Sequence, residues 1–317
     1  MHRIVYLQRA SIDPSVNMRR PAFGHEWVEF PATQTGQMVE RLAGASIAVS
    51  NKVRLPREVI EALPGLRMVA IAATGHESVD LEACRERGIV VSNVQRYSQQ
   101  SVAEHTMMLM LVASRHLKNY LARTAAGEWG ASPAFFLGGP PIGNLHGKTL
   151  AIAGRGGLGT AVARRAEAFG MRVLWLERKD AETTREGYVP FAQGLAAADF
   201  VSLHCPFTPE NLHLIGAAEL RAMKKSAFLI NTARGRLIDE DALAAALREG
   251  WIAGAAVDVL SVEPPQAGNR LLDAGIPNLV VTPHIAWASV EAKQALADEL
   301  IDCLEAYARG EPINRVA

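Results

Sequence analysis

Short apolar runs alternate with amphipathic helical stretches along almost the whole chain. Runs at 4–7, 46–50, 68–72 and 89–92 read as strands, and stretches such as "TGQMVERLAG" and "SVDLEACRERG" between them carry helical periodicity. A second series fills 149–286, with apolar runs at 150–153 and 172–176 and in "DFVSLHCPFTPE", "SAFLINTARGRLID", "IAGAAVDVLSVEPP" and "NLVVTPHIAW". Strands separated by helices call for parallel sheets. The expected fold class is therefore α/β, with two α/β domains, a parallel sheet in each, and a cleft between them. The stretch 101–121 reads as one long helix, apolar all round, buried between layers and crossing between the domains. The Gly-, Pro- and aromatic-rich stretch 127–148 has no period and reads as either a long linker or an arm that packs on a partner subunit, the arm being the favoured reading. The final helical stretch, "SVEAKQALADELIDCLEAYARG", is long enough to return to the first domain. The expected division is 1–98 with 289–317 as one discontinuous domain, and 99–288 as the other.

At 317 residues the chain can build two cores of ordinary size. Lys plus Arg equals Asp plus Glu at 33 each, with no block of one sign, so no electrostatic footprint for nucleic acid or an anionic membrane is present. A small-molecule partner is expected instead. Cys84, Cys205 and Cys303 lie far apart with no CxxC pair, which suits a reducing compartment and argues against a structural metal site. The N-terminus starts at once with a strand-like run and lacks the long apolar region of a signal peptide, and no stretch approaches a membrane span. The expected location is cytoplasmic.

The first chemical motif is "AGRGGLG". Gly154, Gly156 and Gly159 stand in GxGxxG order directly after a strand and open a helix from Leu158. Gly154 permits the tight turn, Gly156 lets the backbone approach a pyrophosphate, and Gly159 lets the helix pack close to the strand with its N-terminus facing the phosphates. The next strand ends at Glu177, 18 residues beyond Gly159, where an acid is expected to accept hydrogen bonds from an adenosine ribose. Together these predict a Rossmann-like dinucleotide-binding domain. Arg178 and Lys179 follow the acid. A carboxylate repels a 2'-phosphate whereas Arg178 can receive one, so NAD is expected first, with NADP possible.

Ligands of open α/β sheets sit outside the carboxyl ends of the strands, so the remaining strand tips should converge on one crevice. His204, Cys205, Pro206 and Thr208 lie at one tip, with His204 expected to line the cofactor pocket. Arg234, Asp258, Glu263 and His284 lie at or beyond three others.

With these residues in place, the chain resembles the D-isomer-specific 2-hydroxyacid dehydrogenase family, and within it the glycerate dehydrogenases and hydroxypyruvate reductases. The matching segments run through nearly the whole chain in family order: "ATGHESVDLEACRERGIVVSN", "SVAEHT", "GKTLAIAGRGGLG", "HCPFTPENLHLI", "LINTARGRLIDEDAL", "AAVDVLSVEPP" and "TPHIAW". The resemblance implies that Arg234 binds substrate, that Glu263 and His284 form an acid/base pair, and that Asp258 helps hold the nicotinamide end. It also implies that the loop of Thr74, Gly75 and His76 receives the substrate carboxylate. Gly157, Leu158, Thr232, Ala233 and Trp287 join the cofactor's expected surroundings, and a homodimer is expected. His76 and Glu77 depart from the family's usual small, acidic or amide residues at that loop.

Reducing a 2-keto acid needs a hydride, a proton for the carbonyl oxygen and a cation for the carboxylate. Arg234 can supply the last through its planar fork, His284 the proton, and Glu263 the orientation of the ring. No metal is required. The rival of another class is a non-enzymatic NAD(H)-sensing corepressor of the same fold, since fold does not settle function. A lactate- or phosphite-type dehydrogenase is the rival within the enzymes.

Overall fold

The structure, a computed structural model, describes residues 1–273 and 275–317. The chain divides into two compact units, Met1–Ser98 with Ala288–Ala317, and Gln99–Trp287. Ala288 falls with the first of them.

The first unit holds β1 (His2–Tyr6), β2 (His25–Glu29), α1 (Met38–Arg41), β3 (Ile47–Ser50), α2 (Arg57–Glu61), β4 (Met68–Ile71), α3 (Leu81–Glu86) and β5 (Val90–Asn93). All strands pair in parallel, in the order β2-β1-β3-β4-β5. β3 and β4 are buried at every position. The edge strand β2, "HEWVE", has no counterpart among the expected strands. With one neighbour only, it tolerates two acids and a histidine, and so shows no apolar run.

The second unit opens with α4 (Gln99–Ser114) and α5 (Leu117–Ala125). It continues through β6 (Thr149–Ala153), α6 (Gly157–Ala168), β7 (Arg172–Leu176), α7 (Phe191–Ala197), β8 (Phe200–Leu203), α8 (Ala217–Ala222), β9 (Phe228–Asn231), α9 (Glu240–Glu249), β10 (Gly254–Val257) and β11 (Leu279–Val281). The six parallel strands run β11-β10-β9-β8-β6-β7. Alternate residues of β6 serve opposite faces: Leu150 and Ile152 pack with Met110, Val162 and Ala166, whereas Ala151 and Ala153 pack with Leu195, Leu220 and Leu243. A sheet covered on both faces needs continuous apolar strands, which is why these strands stand out in the sequence. The strand order reverses beside β6, so the tips of β6 and β8 flank a crevice at the carboxyl edge. Past β7 the sheet extends by a single parallel bridge, Leu176 to Val189.

The chain finishes in the first unit with α10 (Val290–Ala308), whose N-terminus is capped by Ser289 Oγ accepting from the Ala292 amide at 3.1 Å. Arg19 ties it down through Glu305 and Asp302, both at 2.5 Å.

The single helix expected over 101–121 is two helices. His116 takes a left-handed φ of 48°, and its Nδ1 lies 3.0 Å from Asn278 Oδ1, so a tertiary contact breaks the helix where the apolar pattern continues. α4 packs on α6 and on β9, β10 and β11, which makes it a layer of the second unit and not a crossing. The stretch 127–148 has no strand or helix but folds on itself. Trp129 Nε1 donates to Phe135 O at 3.1 Å and Tyr120 Oη to Pro140 O at 2.9 Å. Phe135 remains 91% exposed, with Trp129, Phe136 and Ile142 each about half exposed. Among the described residues, no helix is long and apolar enough to cross a membrane.

α9 illustrates how local chemistry bounds an element. Asp239 Oδ1 accepts from the Ala242 amide at 3.0 Å at its start, and Gly250 closes it at φ 68°. Asp239→Ala is expected to lower unfolding free energy by about 0.5–2 kcal/mol, measured by urea denaturation, while leaving the fold unchanged by circular dichroism.

Candidate active site

The glycine turn is built by close approach of backbones. Gly154 has φ 106°, and a Cβ there would lie 2.7 Å from the His204 carbonyl and the Cys205 amide, so only glycine lets the tips of β6 and β8 come together. A Cβ on Gly159 would fall 2.0 Å from Gly154 O, whereas Gly156 faces open space. The turn thus leaves room beside Gly156 and the N-terminus of α6, the arrangement a pyrophosphate needs. Beyond it lies a cavity of about 1190 Å³ lined by Gly154, Arg155, Glu177, Arg178, Cys205, Pro206 and Thr208, among others. His204 does not line it. Its ring is buried, with Nε2 2.8 Å from Ser202 Oγ, and burial pushes its pKa down to about 4. What His204 gives the turn is its backbone.

Glu177 stands at the tip of β7 as expected, but it does not offer its carboxylate outward. It is 4% exposed. Arg185 donates to it from Nη2 at 2.6 Å, from Nε at 2.8 Å and from its amide at 3.0 Å, and the Arg178 amide adds a bond at 2.9 Å. The hydrogen bonds from the Arg185 side chain are the main reason that its pKa falls to about 2. Glu177 thus lines the cavity with its carboxylate already engaged by Arg185, a pairing that arises from a loop the strand pattern does not describe.

On the same edge of the sheet, Asn231, Val257 and Val281 are in register at the ends of β9, β10 and β11. Arg234, Asp258 and His284 follow within three residues of those ends, so their backbones emerge within about two strand spacings, roughly 10 Å. Asn231 shapes the first tip by accepting from the Ala233 amide at 3.0 Å and donating to Arg234 O at 2.9 Å. Thr232 and Ala233 are buried, and Thr232 Oγ1 lies 3.1 Å from Thr106 Oγ1 of α4. Arg234 is half-buried.

Asp258, 1% exposed, organises the third tip. Its Oδ1 accepts from Thr282 Oγ1 at 2.5 Å and the Ile285 amide at 3.0 Å, its Oδ2 from the Ala286 amide at 2.8 Å, and its carbonyl from the His284 amide at 2.8 Å. His284 is held at φ 55°, a left-handed conformation that costs a non-glycine residue roughly 1 kcal/mol or more. Its Nδ1 then meets Glu263 Oε2 at 2.6 Å, while Glu263 Oε1 accepts from the Leu260 amide at 2.8 Å. The carboxylate is therefore fixed at one oxygen by backbone and at the other by the imidazole, which leaves Nε2 as the ring's outward nitrogen.

Residues outside the expected set complete this frame. His105 Nε2 sits 3.0 Å from Thr282 Oγ1. Because that hydroxyl donates to Asp258, Nε2–H must be the donor to it. Its signal was an ionisable side chain on an apolar helix. Glu240 accepts from the Ser261 amide and hydroxyl and from Asn269 Nδ2, which holds the loop carrying Glu263. Gly235 lets that loop approach, since a Cβ there would lie 2.0 Å from Leu260 C. Trp287 closes the turn and is half-buried.

Thr74, Gly75 and His76 belong to the first unit, in the loop after β4. Asn93 Nδ2 at the tip of β5 donates to Thr74 O at 2.7 Å, Thr74 Oγ1 donates to Val94 O at 3.0 Å, and His76 O accepts from the Val79 amide. Thr74, His76 and Glu77 are exposed. Among the described residues, no group of three His, Cys, Asp or Glu side chains is placed to hold a metal ion.

A doubly wound sheet with a glycine turn at its switch point defines a dinucleotide-binding protein, and comparison with known proteins makes it an NAD(P)-dependent oxidoreductase. Residues 107–286 match the NAD binding domain of the D-isomer specific 2-hydroxyacid dehydrogenases. Glycerate dehydrogenase of Methylorubrum extorquens is 44% identical over 99% of this chain and 98% of its own length. Hydroxypyruvate reductase of Blautia hydrogenotrophica is 34% identical over 90% of this chain and 88% of that protein. The crystal structure of the NADPH-dependent glyoxylate/hydroxypyruvate reductase of Sinorhizobium meliloti superimposes with a TM-score of 0.85 at 32% identity, over 100% of this chain and 98% of that one. The chain belongs to the D-isomer-specific 2-hydroxyacid dehydrogenase family.

The close approach at Gly235 generates a prediction. Gly235→Ala must push the Leu260–Ser261 backbone away, and Glu263 with it. The expected outcome is a loss of stability of about 1–3 kcal/mol, together with a fall in turnover while NADH binding, followed by fluorescence, is retained. Unchanged turnover would show that the loop's position does not matter to the reaction.

Proposed function

We propose that this enzyme interconverts small 2-keto acids and D-2-hydroxy acids, taking hydroxypyruvate and glyoxylate in reduction and D-glycerate in oxidation. The observation that carries the reading is the 2.6 Å contact between His284 and Glu263 on the same sheet edge as the glycine turn. The names of the relatives support the substrate class: glycerate dehydrogenase, hydroxypyruvate reductase and glyoxylate/hydroxypyruvate reductase.

When bound, the reduced nicotinamide supplies the hydride that the carbonyl carbon receives. His284, with Nδ1–H donated to Glu263, delivers a proton from Nε2 to the carbonyl oxygen and leaves the step neutral; in oxidation it takes that proton back. Glu263 fixes the plane of the ring. Arg234 binds the carboxylate and polarises the carbonyl through its fork, and the amides of the Thr74–His76 loop hold the carboxylate as well. Asp258 has room at Oδ2 for one more donor, which fits the carboxamide of the nicotinamide. The unit made of 99–287 binds the cofactor, and that of 1–98 with 288–317 binds the substrate.

The protein works as a homodimer, paired through the exposed aromatic arm around Trp129, Phe135, Phe136 and Ile142, because large apolar side chains exposed together on one segment mark an interaction surface. Three separate free cysteines support a cytoplasmic location.

Turnover of hydroxypyruvate and glyoxylate is expected to exceed that of phenylpyruvate, with a D product. His284→Ala should lose two to four powers of ten in turnover, about the usual contribution of a positioned acid, with NADH still bound. Glu263→Gln should retain more activity than His284→Ala. Arg234→Ala should damage both KM and kcat, with Arg234→Lys a partial rescue. Retained turnover in His284→Ala would place the proton donor elsewhere, His76 being the next residue to test. Light scattering at micromolar concentration should give twice the chain mass; a monomer would remove the arm's proposed role.

A further inference from the structure

The carboxylate at the tip of β7 is full. A carboxylate has about four acceptor positions, and those of Glu177 meet four donors: the Arg178 amide, the Arg185 amide, and Nε and Nη2 of Arg185. A ribose diol that approached it would find no acceptor unless Arg185 left. The loop that carries Arg185 is anchored to keep it there. It runs from Glu177 to the bridge at Val189, where Val189 O accepts from the Glu177 amide at 2.9 Å, and the Arg185 guanidinium lies over the Tyr188 ring at 4.1 Å.

The neighbouring cations differ in their engagement. Lys179 is tied to Glu219 at 2.9 Å. Arg178 and Arg155 both line the cavity, and neither makes a side-chain hydrogen bond or ion pair among the described residues; Arg155 rests over Trp175 and Tyr188 at 5.2 and 5.5 Å. Asp180, Glu182 and Glu210 also line the cavity, so its overall charge does not choose between a hydroxyl and a phosphate. The occupancy of Glu177 does.

We propose that Arg185 is the specificity-determining residue for the cofactor: by occupying the Glu177 carboxylate it removes the acid's selection for an unphosphorylated ribose and lets the site accept the 2'-phosphate of NADP(H) beside Arg178. Glu177 then acts as the anchor of a basic loop, with its charge cancelled by a guanidinium 2.6 Å away. Preference for NADH requires the opposite state, in which the acid is open to the diol. This inference rests on reading the cavity as the adenosine end of the dinucleotide site, and the test separates the two.

Calorimetry on the full-length protein with adenosine 5'-monophosphate and adenosine 2',5'-bisphosphate reads the effect without turnover. The wild type should bind the bisphosphate at least as tightly as the monophosphate. In Arg185→Ala the freed carboxylate should meet the ribose, so the ratio of affinities shifts about tenfold or more toward the monophosphate, and kcat/KM shifts from NADPH toward NADH in the same direction. Glu177→Gln added to Arg185→Ala should restore bisphosphate binding, because the freed charge is gone. Arg185 is half exposed, and Arg185→Lys, which keeps the charge without the fork, should fall between wild type and Arg185→Ala. A ratio within about twofold of wild type in Arg185→Ala, or no restoration in the double variant, overturns the role of Arg185 while leaving the cavity as the nucleotide site. Failure of the wild type to bind either nucleotide overturns the cavity reading and the inference with it.

Discussion

One buried carboxylate holds the reacting end of the second unit together. Asp258 sits at the end of β10 with its oxygens turned to the next strand's turn, where it gathers a hydroxyl and two amides from 282–286. A buried carboxylate needs such donors, because without them desolvation is not offset. The turn in return needs the carboxylate, since the left-handed backbone of His284 is unfavourable alone. Each pays for the other, and the product is an imidazole whose direction is set by backbone. His105 adds a second layer by holding Thr282, and burial pushes its pKa down, so it serves as a neutral N–H donor.

The same unit uses backbone contact twice for related purposes. At the switch point, Gly154 and Gly159 bring β6, β8 and α6 together so that amides can face phosphate. Two strands from β6, after β9, Gly235 brings the Leu260–Ser261 backbone onto the turn that carries Arg234. In both places a missing side chain lets peptide groups, which do not rearrange, define where ligand-facing groups stand. That rigidity suits a reaction in which a cation, a proton donor and a cofactor must be placed together.

Much of this architecture was legible because strands buried on both faces cannot hide their composition. β6, β8, β9, β10 and β11 appear as apolar runs, and polar residues follow their ends on one edge of the sheet. β2 was not legible, since an edge strand with one neighbour admits His25, Glu26 and Glu29. The break at His116 was not legible either, because the apolar pattern runs through it and the cause is a side chain from 162 residues away. Pairings across loops share this property. Glu263 with His284 was implied by the family resemblance, whereas Glu240 with Ser261 and Asn269 serves to hold a loop and announces no chemistry.

Glu177, Asp258 and Glu263 show where sequence position stops determining role. All three are acids at or just beyond strand tips on one sheet edge, and by position each is equally a ligand-binding group. Their surroundings separate them. Glu263 accepts from the Leu260 amide and meets the His284 imidazole; the Asp258 carboxylate gathers a hydroxyl and two amides; the Glu177 carboxylate meets four donors, enough to fill it. The number of acceptor positions still open, which is a property of folded neighbours, decides whether an acid meets a ligand or holds the protein. By that measure the acid that the dinucleotide motif singles out is, in this chain, held by Arg185, with Arg155 and Arg178 beside it on the cavity wall.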